Sequence, residues 1–342
     1  MRAVPVIIAA GLLASACASP FDTGSSAATA IEVQIDAPGV EPREVDIDPL
    51  YVSISIHVEG WTMEADDRGA YELHRDGLLQ LAHDAADAGA VITFELSQVY
   101  MDAVASWDDA AALREIESLG HSIAIHADAG GRGVPTEAGL VADLRHMVDS
   151  LARLGFSTPH VSGICSRGPW VEAALGAGFT SASGGVAYCA TSLDPAHMPD
   201  GYEYLYDCAG PAACHGVPPI PDEQRVHPWL ADSSSDWVVT GADSGLAIVP
   251  GGPDIGDRCE PEPCARWYED ADVLAFMIDE ALELRSDAEL AGLALSWSIG
   301  SIPEPGQADA LFAAVAGHVE AGEVTWAGAD TIGQLAQAWL GG

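Results

Sequence analysis

The sequence predicts an α/β domain built as a distorted (β/α) barrel of about seven parallel strands. Short apolar, β-branched runs alternate with segments in which apolar residues recur at helical spacing and stop at a glycine. Such an alternation is typical of parallel strands joined by crossover helices. About 290 residues remain after the N-terminal region, a normal length for a single α/β barrel.

The predicted elements follow one another along the chain with one interruption. Strands are predicted at residues 51–56, 90–94, 122–125, 159–164, 181–186, 237–240, 245–249, 292–299 and 324–327. Helices are predicted at residues 73–88, 108–119, 136–154, 169–178, 272–284, 307–321 and 331–340. Residues 190–266 are rich in proline, glycine and aromatic residues and predict an irregular insertion of long loops and strands.

The first residues predict export. A single Arg2 precedes an apolar run at residues 3–13, and small residues lead to Cys17, as in a secretory signal. This arrangement resembles the lipobox of bacterial lipoproteins, which implies lipidation of Cys17, while an ordinary signal cut near Ala16 or Ala18 is the alternative. The expected organisation is a signal peptide at 1–16, a flexible tether at 17–48 and the barrel at 49–342.

The charge balance excludes some classes of partner. The chain carries 52 acidic and 13 basic residues, for a formal net charge of −39. Such a surface repels nucleic acid and anionic lipid. We therefore expect no nucleic-acid partner, and contact with a membrane only through an N-terminal lipid anchor.

Six cysteines besides Cys17 form an even set, which favours disulfides in an exported chain. Two pairs flank short loops, and a third pair is then left over. A zinc site is the alternative, but no CxxC motif occurs. The predicted pairs are Cys208 with Cys214, Cys259 with Cys264, and Cys165 with Cys189.

Polar and aromatic side chains follow the predicted strands. In barrels of this kind the carboxyl ends of the strands carry the chemistry. These residues are His57, Glu59 and Trp61 after the first strand, Glu95 after the second, His126 and Asp128 after the third, Arg167 and Trp170 after the fourth, and Trp297 in a late strand. Their composition indicates the mouth of a metal-dependent hydrolase or a sugar-binding site.

Three motifs resemble those of the polysaccharide deacetylases, the NodB-like carbohydrate esterases. Residues 56–61 (Ile-His-Val-Glu-Gly-Trp) are similar to the first family motif, residues 120–126 (Gly-His-Ser-Ile-Ala-Ile-His) to the second, and residues 167–170 (Arg-Gly-Pro-Trp) to the third. The resemblance covers about residues 50 to 340. It implies a barrel that uses a divalent metal ion to remove N- or O-acetyl groups from glycans.

The chain departs from the family pattern at three places. His57 stands where the first motif has Asp, and Gly130 stands where the second metal-binding His would fall. A late His expected near residues 296–298 is absent from the sequence. The usual ligand triad is therefore incomplete in this chain.

Candidate roles follow from residue type and position. His57, Glu59 and His126 are the predicted ligands of Zn²⁺, or of an Fe, Co or Ni ion. The alternative for His57 and Glu59 is a buried hydrogen-bonded pair. The other predicted roles are catalysis for His57, Asp128 and Arg167, and substrate binding for Trp61, Glu95, Trp170 and Trp297. Arg167 can instead form a salt bridge, and Trp61 and Trp170 can plug the barrel mouth.

The predicted function is hydrolysis of acetyl groups on a polysaccharide at the cell envelope, by a lipoprotein on its periplasmic or extracellular face. Two alternatives stay open. One is a barrel that has lost catalysis and binds a glycan or a protein partner. The other is a glycoside hydrolase with Glu59 and Asp128 as its paired carboxylates.

Overall fold

The structure, a computed structural model, describes residues 45–60, 62–130, 133–251, 271–298 and 306–341. Cys17, Trp61, Cys259 and Cys264 lie outside these residues, as do the signal peptide and most of the tether that the sequence predicts. Within the described ranges, no helix is both long and apolar enough to cross a membrane.

The described strands belong to one sheet. They are β1 (Leu50–Val58), β2 (Ile92–Leu96), β3 (Ser122–His126), β4 (His160–Ser162), β5 (Ser181–Ala182), β6 (Trp229–Ala231), β7 (Leu246–Ile248), β8 (Ala291–Ser298) and β9 (Val324–Trp326). The α-helices are α1 (Arg68–Asp87), α2 (Gln98–Trp107), α3 (Ala111–Ser118), α4 (Glu137–Leu154), α5 (Trp170–Ala177), α6 (Ala271–Leu284), α7 (Gln307–Glu320) and α8 (Ala329–Leu340).

The sheet has the strand order β6-β7-β5-β4-β3-β2-β1-β8, and β9 pairs with the start of β1. Every strand pair is parallel except β6 with β7. Backbone N–H groups of β8, at Gly292 and Ala294, donate at 2.8 Å to the carbonyls of Val226 and Pro250, which flank β6 and β7. The two edges of the sheet therefore meet, and the sheet curves into the predicted distorted barrel.

The central strands are buried along their whole length, which explains their unbroken apolar and β-branched composition. The N-terminal ends of several helices are fixed by capping side chains. Asp67 caps α1, Ser97 caps α2 and Thr136 caps α4, each by accepting backbone N–H groups of the first turn. Ser97 directly follows Leu96, the last residue of β2, so its cap lies at the point where this strand is succeeded by a helix.

The structure corrects one predicted strand and shows one helix that was not predicted. Residues 237–240 do not form a strand, because Trp237 lies in a turn and is buried between the rings of Trp170 and Trp229 instead of pairing in the sheet. The helix predicted at 108–119 is confirmed as α3 (Ala111–Ser118), whereas α2 (Gln98–Trp107), which precedes it, was not predicted. The Ser97 cap starts α2, and Asp108 ends it in a left-handed conformation.

Two predicted disulfides are confirmed. Cys165 is bonded to Cys189, and Cys208 is bonded to Cys214. Both lie in or beside an insertion of loops and short 3₁₀ helices between β5 and β6. This segment is the disulfide-stapled irregular insertion that the sequence predicts.

Candidate metal centre

Three buried side chains converge at the carboxyl ends of the first three strands. His57 on β1, Glu95 on β2 and His126 on β3 each offer one donor atom, and the three atoms lie within 4.8 Å of one another. Each residue is at most 8% exposed. The carboxyl ends of β1, β2 and β3 therefore form one cluster of two imidazoles and a carboxylate.

Strand register explains why these three residues meet. His57 and Glu95 are Cα partners across β1 and β2. Glu95 is in turn the partner of Ala124 on β3, two residues before His126. Because side chains alternate between the two faces of a strand, all three project from the same face of the sheet.

Contacts inside the cluster are close. His57 Nε2 lies 3.1 Å from Glu95 Oε2. The rings of His57 and His126 are stacked, with centroids 4.2 Å apart and planes inclined by 30°. The carboxylate and the two imidazoles are thus packed against one another at the end of the barrel.

Ser162 on β4 orients both Glu95 and His126. Its hydroxyl donates to Glu95 Oε2 through a short hydrogen bond and lies 2.9 Å from His126 Nδ1. A hydroxyl has one proton, so Ser162 accepts from Nδ1–H of His126. This fixes the tautomer in which Nε2 of His126 carries the lone pair, as a metal-binding imidazole requires.

A second chain of hydrogen bonds reaches Oε1, the other carboxylate oxygen of Glu95. Ser183 Oγ donates to Glu95 Oε1 at 3.3 Å, and His160 Nε2 lies 2.9 Å from the same hydroxyl. Ser181 Oγ lies 2.9 Å from His160 Nδ1. None of Ser162, His160, Ser181 and Ser183 is among the predicted site residues, although the alternation of His160 and Ser162 in a buried strand is a signal that could have indicated them.

Burial and charge set the protonation states. Burial raises the pKa of Glu95, but the hydrogen bond and charge of His57, with the charges of His160 and His126, outweigh it and lower the pKa to about 2. Burial and then the charge of His57 lower the pKa of His126 to about 3. At neutral pH the cluster therefore presents an ionised carboxylate and a neutral His126, both competent ligands.

The donor set fits a divalent transition metal. Two imidazole nitrogens and one carboxylate oxygen are a recognised three-ligand set for catalytic zinc, and imidazole also suits iron, cobalt and nickel. The hydroxyl of Ser162 orients two of the three ligands, as outer-shell partners of metal ligands do. His57, Glu95 and His126 are therefore the residues that would hold such an ion.

Glu59, predicted as a ligand, is not part of this cluster. Strand β1 ends at Val58, so the alternation that would have placed Glu59 beside His57 stops before Glu59 is reached. Glu59 is exposed, and its carbonyl accepts a 2.5 Å hydrogen bond from Ser97 Oγ. Glu95, predicted for substrate binding, supplies the carboxylate of the cluster instead. It is fully buried and does not reach the surface.

A cavity of about 340 Å³ opens beside the cluster. His126 contributes to its wall, together with the exposed carboxylates of Glu59 and Asp128 and with apolar side chains of α4 such as Leu144. Its volume is in the range of small-ligand sites. Asp128, a predicted catalytic residue, thus shares the cavity with a candidate ligand.

The other predicted site residues lie in different surroundings. Arg167 donates from Nη2 to the carbonyl of Cys208, so it fastens a loop of the insertion. Trp170 is 2% exposed and donates from Nε1 to Ser192 Oγ at 3.0 Å. Trp297 on β8 is also 2% exposed. Neither tryptophan offers an accessible ring face in this structure.

Known structures share this architecture, although no protein-family model and no curated protein matches the sequence. A candidate polysaccharide deacetylase of Mycobacterium smegmatis superimposes with a TM-score of 0.51 and 15% identity, over 85% of this chain and 92% of that one. The chain has the polysaccharide deacetylase fold. A PuuE allantoinase superimposes on this chain equally well, with a TM-score of 0.51 and 12% identity, over 88% of this chain and 94% of that one.

Proposed function

We propose that this protein is a metal-dependent deacetylase of an acetylated carbohydrate polymer. The observation that carries the proposal is the convergence of His57, Glu95 and His126 at the carboxyl ends of adjacent strands in a deacetylase fold. An allantoinase has the same fold, so the fold does not select the substrate. The carbohydrate assignment is supported by the motifs at residues 120–126 and 167–170.

Each residue of the site has a part in the proposed hydrolysis. An ion in the cluster would supply Lewis acidity toward an acyl carbonyl and toward the attacking water. Glu95 and the two imidazoles would hold it, and Ser162 keeps Glu95 and His126 in the ligating orientation. Asp128 accepts the proton of the water, because it lines the cavity beside His126, whereas Glu95 is fully buried and belongs to the ligand set.

The direct test is acetate release from an N-acetylated chitooligosaccharide by the purified protein. We expect release that stops after chelation and returns when Zn²⁺ or Co²⁺ is added back. The Asp128→Asn variant should bind the ion normally and lose about 10²–10⁴-fold in rate, the usual contribution of general base catalysis. Absence of release with every metal, on both N- and O-acetylated glycans, would refute the proposed activity.

A second candidate function is metal-free glycan binding by an inactive barrel. It is favoured by the 3.1 Å separation of His57 Nε2 and Glu95 Oε2, a distance at which the two side chains can pair directly with each other. A third candidate, glycoside hydrolysis, is favoured by the presence of Glu59 and Asp128 in the wall of one cavity. Binding of the glycan without release of acetate would support the second candidate. Release of reducing ends that continues in the presence of a chelator would support the third.

The location we propose is the cell envelope, with Cys17 as the lipid-bearing N-terminus of the mature chain. The support is the sequence of residues 1–17 and the pairing of four cysteines into disulfides, which persist in oxidising compartments. Labelling with a fatty-acid analogue tests it: the wild-type chain should incorporate label and Cys17→Ala should not. Equal labelling of both chains would contradict the anchor.

A further inference from the structure

The proposed hydrolysis leaves unused a third buried imidazole, that of His160, which lies behind the candidate metal centre. His160 begins β4 and is the Cα partner of Ser181 on β5. Each of its ring nitrogens lies 2.9 Å from a hydroxyl, Nδ1 from that of Ser181 and Nε2 from that of Ser183. His160 is 0% exposed, so it acts on the site only through its neighbours.

The direction of the hydrogen bonds from His160 to Glu95 follows from the groups involved. A carboxylate only accepts hydrogen bonds, so Ser183 donates its single hydroxyl proton to Glu95 Oε1, at 3.3 Å. Ser183 Oγ therefore accepts from His160, which places a proton on Nε2. The protons of His160 Nε2 and of Ser183 Oγ thus both point along the chain toward Glu95.

The two oxygens of Glu95 face different neighbours. Oε2 lies 3.1 Å from His57 Nε2 and accepts a hydrogen bond from Ser162, whose hydroxyl also bonds His126. Oε1 instead accepts from Ser183 and lies 3.9 Å from His160 Nε2. Oε2 is therefore the oxygen on the side of the two candidate imidazole ligands, and Oε1 is turned toward β4 and β5.

We propose that His160 is a positioning residue of the candidate metal centre: through Ser183 it holds Oε1 of Glu95 in a hydrogen bond, so that Glu95 would bind an ion through Oε2 alone. A carboxylate can bind an ion through one oxygen or through both. With one oxygen from Glu95, the protein would supply three ligand atoms, the number in catalytic zinc sites that keep a position open for water. This inference rests on the metal-dependent function proposed above.

The visible absorption of the protein loaded with Co²⁺ tests this role, because the bands of Co²⁺ are intense in four-coordinate sites and weaken as further ligand atoms bind. The wild type should show the intense bands of a four-coordinate ion. Ser183→Ala releases Oε1, so both oxygens of Glu95 should bind and the bands should weaken. Zn²⁺ affinity should fall about 10–100-fold, the usual effect of losing an outer-shell partner.

Ser181→Ala is the matched control. It also removes a buried hydroxyl that lies 2.9 Å from a nitrogen of His160, but that nitrogen is Nδ1 and not Nε2, which faces Glu95. A general loss of packing or polar contacts around His160 would affect Ser181→Ala and Ser183→Ala alike. We expect Ser181→Ala to retain the Co²⁺ spectrum and the Zn²⁺ affinity of the wild type, with a fall in thermal stability similar to that of Ser183→Ala.

Variants of His160 test whether it acts through Ser183. His160→Leu removes the donor to Ser183 and should weaken the Co²⁺ bands as Ser183→Ala does. His160→Gln keeps an N–H donor at the end of the side chain and should restore the wild-type spectrum. Because the two residues act in one chain, the double variant His160→Leu/Ser183→Ala should lose no more Zn²⁺ affinity than either single variant.

The outcomes separate this inference from the proposed function. Unchanged Co²⁺ bands in Ser183→Ala, with the ion bound, would overturn the positioning role and leave the metal centre standing. Equal changes in Ser181→Ala and Ser183→Ala would also overturn it, and this comparison decides even if His160→Leu does not fold. A wild-type protein that binds no ion would refute the proposed function, and this inference with it.

Discussion

The imidazole of His126 occupies the space in which a side chain at position 163 would lie, and Gly163 leaves that space open. A Cβ built on Gly163 would lie 2.6 Å from Cε1 of His126 and 2.9 Å from its Nδ1. Gly163 also has a φ of +60°, a conformation that L side chains rarely adopt. The position of a candidate metal ligand therefore depends on a glycine at the end of the neighbouring strand β4.

We expect Gly163→Ala to lower the affinity for Zn²⁺ at least tenfold, because the added methyl group displaces the ring of His126. Gly184→Ala is the matched control. Gly184 has a similar φ of +69°, but its added Cβ would meet only Ser162 Cβ at 3.7 Å. Both variants should lose about 1–2 kcal/mol of stability from backbone strain, and only Gly163→Ala should lose the ion. Calorimetric titration measures the difference.

Ser162→Ala removes the hydroxyl that bonds both Glu95 and His126. His126 Nδ1 then lacks this partner, while Glu95 Oε2 keeps only His57, and the loss costs about 1–3 kcal/mol in the free energy of unfolding. Zn²⁺ affinity should fall about 10–100-fold, the usual effect of losing an outer-shell partner. Ser53→Ala, which removes a buried hydroxyl bonded to Thr93 at 3.0 Å, is the control and should retain the affinity. Equal affinities in the two variants would contradict the orienting role.

Glu95→Gln and Glu59→Gln discriminate between the two carboxylates that the strand pattern offers. We expect the first to abolish stoichiometric metal binding, because a neutral amide is a weak ligand and the cluster keeps only two imidazoles. The second should bind one ion per chain, since Glu59 is exposed and lies outside the cluster. Elemental analysis after dialysis against Zn²⁺ gives the answer, and loss of metal from Glu59→Gln alone would reverse the assignment.

Acid should destabilise the metal-free protein through His126. Its pKa is about 3 in the folded state, because burial penalises the charged imidazole, and about 6.5 in an unfolded chain. Between these values the unfolded state binds more protons, so the free energy of unfolding falls as the pH falls from about 6.5 toward 3. Below about 4.5 the lowered pKa of Glu95 acts in the same direction.

Urea unfolding at pH 7 and pH 5 in a chelating buffer measures this dependence. The loss of stability on acidification should be smaller in His126→Gln than in the wild type. His83→Gln, which alters an exposed histidine on α1, should leave the loss unchanged. If His126→Gln lost as much stability between pH 7 and pH 5 as the wild type, the buried imidazole would not be the group responsible.

The fold was accessible from the sequence because its central strands are buried on both faces and are almost continuously apolar. The approximate ends of these strands could also be located, so His57 and His126 were identified as partners in one site. Glu59 was chosen over Glu95 because nothing in the sequence shows that β1 stops at Val58. Helix α2 was missed, although its capping residue Ser97 follows β2 directly, and the same hydroxyl also donates to the carbonyl of Glu59 at the end of β1.

The polar network below the site could not be deduced in the same way. Ser162 and Ser183 are ordinary residues in the sequence, and only their distances to Glu95 show that they hold its two oxygens. The burial of Trp170 likewise depends on Trp237, a residue 67 positions away in a turn that sequence patterns predicted as a strand. Long-range contacts of this kind carry no local signal.

Metal stoichiometry of the purified protein tests the central claim most directly. After reconstitution with Zn²⁺ or Co²⁺ and removal of free ion, the wild-type chain should retain one ion and His126→Ala none. One ion per chain that disappears in the variant would establish His57, Glu95 and His126 as a metal centre. A wild-type chain that retains no ion with any of the divalent metals, while remaining folded, would contradict it.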